Sequence, residues 1–336
     1  MSLKEKILQS RRDFLTSNAS GLGGIAAMTM LAKNGVLGAG NSLESGNRLK
    51  IPHFPPKAKS CIFLFMAGAP SQIDLFDPKP KLNQLHGQPM PESMLEKVRF
   101  AFIEKESAFL MGSNAKFTRH GSCGMEISNY LPKIATCADD IALIRSMHTE
   151  AFNHHPGQLM MNSGLPTFGR PSMGSWINYG LGSESENLPG YVVLSAGRGA
   201  SGGTSNWSSG FLPSSYEGVL FRNQGDPILH LSSPEGLPHQ CQRRGLQALK
   251  DLNQQHYKTT RDPEILSRIA SYELAYRMQS AAPELIDLSQ EDTKTLEMYG
   301  VDRSDGDGRG RGFSKGVFAT YARNCLLARR LVERGV

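Results

Sequence analysis

The chain has almost none of the short strings that announce a chemistry. Its five cysteines (Cys61, Cys123, Cys137, Cys241 and Cys325) form no Cys-x-x-Cys pair and no ligand-like spacing. The odd count argues against a complete disulfide framework. Cys61 and Cys325 sit in apolar runs and read as small core residues, and Cys123 and Cys137 could pair in an oxidising compartment. No Gly-x-Ser-x-Gly elbow and no His-Glu-x-x-His occurs. The Gly/Ser-rich stretch 197–210 (GRGASGGTSNWSSG) lacks the Gly-Lys-Ser/Thr ending of a phosphate-cradling loop. Aromatics are sparse, at 8% with two tryptophans. No basic stripe interleaved with aromatics stands out, which speaks against nucleic acid. No apolar run is long enough to cross a bilayer.

What is present describes a folded, layered chain. With 336 residues, 39% of them hydrophobic and 20% charged, it can bury a sizeable core. The formal charge of +6 is uneven. Residues 1–39 hold Lys4, Lys6, Arg11, Arg12 and Lys33 against Glu5 and Asp13, which accounts for half of it. That segment has a polar basic start, then SRRDFL with Arg11 and Arg12, then a mild Gly/Ala/Met-rich stretch. This order reads as a twin-arginine export signal. It predicts passage through the twin-arginine translocation machinery to the periplasm or the cell exterior. Residues 40–58 read as a linker and 59–336 as one α/β domain.

Within that domain, apolar strands are expected at 61–66, 140–145 and 191–194. Helices are expected at 127–138, 158–163, 172–181, 240–256, 263–279, 289–299 and 315–334. The alternation predicts a largely parallel sheet covered by helices on both faces. Segment 303–312 resembles a calcium loop but has no acid at its first position, and Ser314 stands where the closing Glu should be. Val336 reads as the first residue of a further strand, so the domain reads as incomplete at its C-terminal end.

Two clusters carry possible chemistry. Ser71, Asp74 and Asp77 follow the first expected strand; His148, Asn153, His154 and His155 follow the second. In a parallel sheet both would lie at the carboxyl edge, where sites assemble. Carboxylate with imidazole suits zinc, manganese or iron; carboxylates alone suit magnesium or calcium. The same residues also suit plainer roles: Asp74 and Asp77 as turn caps, and His154 and His155 as solvated imidazoles at a helix entry.

Several longer strings carry a family resemblance. RRDFL, FLFMAGAPSQIDLFDPKP, NHHPG with MNSG, SGFLPSSYEG, YELAYRMQ with APELIDLS, and ARNCLLARRLVERGV occur in that order. Together they resemble a large group of exported, sulfatase-like proteins of the alkaline phosphatase and sulfatase superfamily. The resemblance implies an α/β sandwich and a metal-dependent hydrolase of sulfate or phosphate esters, of a small molecule or a polysaccharide. It implies a divalent metal (zinc, calcium, magnesium or manganese) held by Asp74 and Asp77. His154 and His155 would act at the reacting group, with Ser71, Asn153 and His148 binding substrate. The superfamily's Cys or Ser followed by x-Pro-x-Arg is missing, and residues 153–157 stand in its place. The remaining metal ligands would follow a strand beginning near Val336. A non-catalytic exported envelope or ligand-binding protein on the same fold is the competing expectation.

Overall fold

The computed structural model describes residues 57–68, 70–96, 104, 107–197, 199–222, 226–229, 231, 233, 236–304 and 316–336. The expected export signal with Arg11 and Arg12, nearly all of the linker, and most of the 303–312 loop lie outside these residues. Among the described residues no helix is long and apolar enough to cross a membrane.

The described residues are mixed α and β, with many helices and two small sheets. The first described helices are three short ones: α1 (Gln72–Leu75), α2 (Pro80–Gln84) and α3 (Glu92–Leu95). An antiparallel hairpin follows, β1 (Phe117–His120) with β2 (Met125–Ser128), in the register Phe117↔Ser128. Then come α4 (Pro132–Ala135), α5 (His154–Ser163) and α6 (Met173–Leu181). The second sheet is a parallel pair, β3 (Val192–Leu194) with β4 (Val219–Phe221). Four helices complete the order: α7 (His239–Thr260), α8 (Glu264–Ile286), α9 (Thr293–Tyr299) and α10 (Val317–Val332).

The hairpin turn shows how local chemistry decides the fold. Gly121 and Gly124 both take positive φ, at 66° and 67°. The Asp139 carboxylate accepts the backbone N–H groups of Ser122 (2.9 Å) and Cys123 (2.8 Å). It sits so close beneath Gly121 that a Cβ there would lie 2.5 Å from its Oδ1. Those amide donors hold the Asp139 carboxyl well below its usual 3.8, at about 2. Ile127, Ala135 and Ala138 form the small core behind the hairpin, packed by Phe76, Met125 and Leu131.

Strand β2 takes the first two residues of the helix expected over 127–138, and the helix that forms begins only at Pro132. Ile127 is fully buried by pairing and packing, and Pro132 can only start a helix there, which leaves α4 a single turn. No strand forms at 140–145 either; Ile144 is 66% exposed. The run 61–66 has no regular secondary structure and pairs with no strand among the described residues, and Ile62, Phe63, Leu64 and Met66 are about half exposed. Cys61 is exposed rather than a core residue, and Cys123 and Cys137 are free thiols. Apolar composition alone marked 61–66 and 140–145 as strands, yet a strand also needs a neighbour to satisfy its backbone.

The main core lies where α8 and α10 cover the β3–β4 pair. Phe221 from β4 meets Met278, Ala282 and Leu285 of α8 and Leu331 of α10, with Val192, Leu194 and Val219 packed alongside. A second layer joins α9 to α10 through Val301, Ala322 and Leu326. On α10, Ala322, Leu326 and Arg330 recur at four-residue spacing and all are buried.

Arg330 is the buried cation of this core. Its Nε donates to Leu285 O (2.9 Å) and its Nη2 to Glu284 O (2.6 Å), two carbonyls in the last turn of α8. Its Nη1 reaches Glu291 at 2.5 Å, and Arg329 binds the same carboxylate at 2.7 Å. The Arg330 contact, followed by that of Arg329, holds the Glu291 carboxyl below its usual range.

Arg330→Met is expected to cost about 3 kcal/mol in urea unfolding, because it leaves helix-end carbonyls without a donor in a buried setting. A loss below about 1 kcal/mol would show that water reaches the site. Asp139 gives a separate pH signature. Its folded pKa lies below its unfolded one, so its contribution is fully present above about pH 4 and disappears as pH falls toward 2. Unfolding titrations of the unmutated chain and of Asp139→Asn should therefore differ at pH 6 and converge near pH 2.

Candidate functional site

The first expected cluster is committed to holding structure. Ser71 caps α1, and its carbonyl accepts the Asp74 N–H at 3.1 Å. Asp74 accepts the Ser113 hydroxyl in a short contact. That hydroxyl, and after it the Ser71 hydroxyl, holds the Asp74 carboxyl below its ordinary range. Asp77 pairs with Lys79 at 2.7 Å and Arg145 at 3.5 Å, and the Lys79 contact is the main cause of its lowered carboxyl pKa.

The second cluster is divided. His148 is exposed and lies 3.8 Å from Glu150. Asn153 caps α5: its Oδ1 accepts the His155 N–H at 3.4 Å. His154 points to solvent in the first helical turn, while His155 is half-buried. No hydrogen bond or ion pair among the described residues joins Asp74 or Asp77 to His148, Asn153, His154 or His155.

His155 has a setting that the other candidates lack. Its Nε2 is sealed from solvent and has no hydrogen-bond partner. Its ring meets Phe168 edge-on at 5.3 Å. Gly202 faces it, and a Cβ at that position would lie 3.5 Å from His155 Nε2 and 2.5 Å from Asn206 Nδ2. Since Gly202 has an ordinary φ of −82°, glycine is needed there for space rather than for conformation.

The neighbours of His155 form a buried polar network. Gln158 is 6% exposed; its Nε2 donates to Ala67 O (3.0 Å), and its Oε1 accepts the Ser201 N–H (2.8 Å) and Ser201 Oγ (2.9 Å). Asn162 Nδ2 donates to Gln158 O (2.8 Å) and to Asn206 Oδ1 (3.4 Å). Asn206 Nδ2 donates to Gly203 O at 3.2 Å. Thus α5 clamps the segment ending at Ala67 on one side and the 199–206 loop on the other. Asn162 and Asn206 also line a cleft of about 1210 Å3, whose walls come from residues 61–65, α6, β3 and α10.

Sequence reasoning named His155 but missed Gln158, Asn162, Ser201, Gly202 and Asn206. A signal existed: His155, Gln158 and Asn162 recur at i, i+3 and i+7, one face of a helix. The Gly/Ser-rich stretch 199–210 contains a 3-10 turn, Gly203–Asn206, and buried Asn206 and Ser209.

A divalent metal does not fit the described residues as they stand. Asp74 and Asp77 already accept from hydroxyl, ammonium and guanidinium donors, and no group of three or more His, Cys, Asp or Glu among the described residues converges as a metal would require. What the site offers is an uncommitted, sealed imidazole nitrogen beside the buried Gln158–Asn162–Asn206 network.

Gln158→Leu keeps the side-chain volume but strips Ala67 O and the Ser201 N–H of their partner. It should cost about 2 kcal/mol in chemical denaturation, together with faster proteolysis in 199–206. Unchanged stability would mean that the network is not what holds the loop.

The resemblance to the alkaline phosphatase and sulfatase superfamily does not hold. Only a family of unknown function matches, and nothing points to that superfamily. In physical terms, Asp74 sits in a helical turn bonded to Ser113 rather than at the end of a strand, and the motif strings placed elements that did not form. No curated protein and no solved structure matches the chain. The matching family covers residues 58–336, and the chain belongs to it: the family described as protein of unknown function (DUF1501).

Proposed function

We propose that the protein is an exported hydrolase of sulfate or phosphate esters in which His155 is the working base. One observation carries this reading: a sealed, unpartnered imidazole nitrogen beside a gap that only glycine leaves open. An orphaned buried polar atom is costly, and a functional task is a recognised reason for one to persist. In the proposed step, which requires the Gly202 loop to move off the sealed Nε2, His155 takes a proton from water as the water oxygen bonds to sulfur or phosphorus. The ester C–O oxygen leaves with the bonding pair and is protonated by solvent. The N-terminal end of α5 favours the anionic group.

Export rests on the SRRDFL run with Arg11 and Arg12. The translocation machinery would carry the folded chain to the periplasm or beyond. The finer architecture, one larger and mostly parallel sheet with helices on both faces, belongs to the same proposal. It is supported by the parallel β3–β4 pair under α8 and α10, and by the apolar run 61–66 sharing the cleft with β3. No step is routed through a metal.

A second reading, a non-catalytic exported ligand-binding or envelope protein, is favoured by the structural commitment of Asp74 and Asp77. Turnover of p-nitrophenyl sulfate and p-nitrophenyl phosphate by the full chain separates the two. Hydrolysis of either ester that drops at least about 100-fold in kcat/KM for His155→Ala supports the base role. No turnover, or turnover indifferent to that change, favours the non-catalytic reading.

A further inference from the structure

In the large cleft, two stretches of backbone are left without strand partners among the described residues. Val219 N–H donates to Tyr191 O at 3.0 Å, which fixes the alternation of the parallel pair. The N–H and C=O groups of Val192 and Leu194 therefore point away from β4, to the free edge of β3. Val192, Val193 and Leu194 line the cleft of about 1210 Å3, and residues 61–65 form another of its walls. Among the described residues the backbone of 60–66 makes no hydrogen bond. Phe63 and Phe65 stack at 5.7 Å, so alternate residues share a side there, as they do in a strand.

Helices cover both faces of that free edge. On one face, Tyr191 lies so close under α6 that a Cβ at Gly174 would stand 2.5 Å from its ring. On the other, Val192 and Leu194 pack into the cluster that holds Leu331 of α10. The cleft itself is lined by Ile177 and Leu181 from α6 and by Cys325 and Ala328 from α10. Ile177 is 39% exposed, Leu181 44% and Leu64 58%, so apolar surface is open along the cleft. An unpaired strand edge between two apolar helix faces is the setting of a sheet strand buried on both sides. The charged residues of the lining are Lys57, Lys59 and Arg303 against Glu184.

We propose that this cleft binds an extended peptide from another polypeptide, about six residues long, apolar on both faces and carrying a carboxylate at one end. The peptide adds as a strand to the free edge of β3 and runs beside 61–66, whose six residues span about 20 Å when extended. Main-chain bonds to Val192 and Leu194 supply affinity. The helices on the two faces select apolar side chains at successive positions rather than alternate ones. Three cations against one acid select the carboxylate. An acyl chain would fill the same apolar space but leave the β3 edge unpaired, and for that reason the geometry favours a peptide. His155 does not line the cleft, so this inference stands apart from the hydrolase reading.

The test is fluorescence anisotropy of the full chain with the fluorescein-labelled peptide GSVIVLVIDE. Two comparison peptides separate the causes of binding. One carries methyl groups on the backbone nitrogens of the apolar run, which removes the strand donors and keeps the side chains. The other, GSVSVSVSDE, is polar on one face. Expected are saturable binding of the first peptide and affinity at least about tenfold weaker for either comparison peptide and for Ile177→Asp. Lys57→Glu combined with Lys59→Glu should reverse the preference, so that GSVIVLVIKK binds better than GSVIVLVIDE. Thermal melting checks that each variant is folded; the methylated peptide decides on the unmutated chain if Ile177→Asp is not. No saturation up to about 100 μM, or equal binding of the methylated peptide, overturns the proposal. So does binding of dodecanoate without binding of the peptide, which marks an acyl-chain site. A dimer of the chain that Ile177→Asp dissolves marks an interface between copies and overturns it as well.

Discussion

Arg330 is the charged side chain sealed inside the described residues, and the placement of α10 against α8 depends on where its N–H groups point. A three-residue parallel pair such as β3–β4 has too little backbone pairing to stand alone, so helices must hold it from one face. Two helices can slide along each other if only aliphatic side chains meet. The guanidinium removes that freedom by binding Glu284 O and Leu285 O at the end of α8 and the Glu291 carboxylate just beyond it. Neutralising a helix C-terminus with a cation is favourable, and here the cation also carries its own counter-ion. Because Leu331 follows directly and packs on Phe221, the register of α10 against β4 is set by the same residue pair.

The α5 network works at a smaller scale by the same logic: one amide, Gln158, satisfies groups from two separate segments and leaves His155 next to them unsatisfied. A fully bonded neighbour makes the single unbonded nitrogen meaningful, since a loose loop would simply turn to satisfy it. The glycine at 202 belongs to the same arrangement, because any side chain would push Asn206 away.

The helical half of the chain was legible and the strand half was not. Helices α6, α9 and α10 fall within the spans expected from periodicity, and α7 and α8 form where expected but run further, to Thr260 and Ile286, since a helix closes its own backbone bonds and needs only one apolar face. Strand β3 was read correctly at 191–194, but 61–66 and 140–145 were not strands, and β1–β2 was missed. A strand depends on a partner distant in sequence, which no local pattern reports; in β1–β2, Gly121 and Gly124 marked the turn, while Asp139 pins it from outside. At the site, adjacent His154 and His155 looked equivalent as text. Helical geometry turns their side chains about 100° apart, and only one of them faces Gly202 and the buried network.

The same asymmetry explains why motif likeness misled while residue chemistry remained useful. Asp74 resembles a ligand in sequence, but a carboxylate is an acceptor for any nearby donor, and Ser113 reaches it from 39 residues away. A residue's availability therefore depends on what the fold has already spent it on. His155 Nε2 is uncommitted, while Gln158, Asn162 and Asn206 around it are already bonded to one another and to the loops they hold, so the fold leaves that single ring nitrogen unspent.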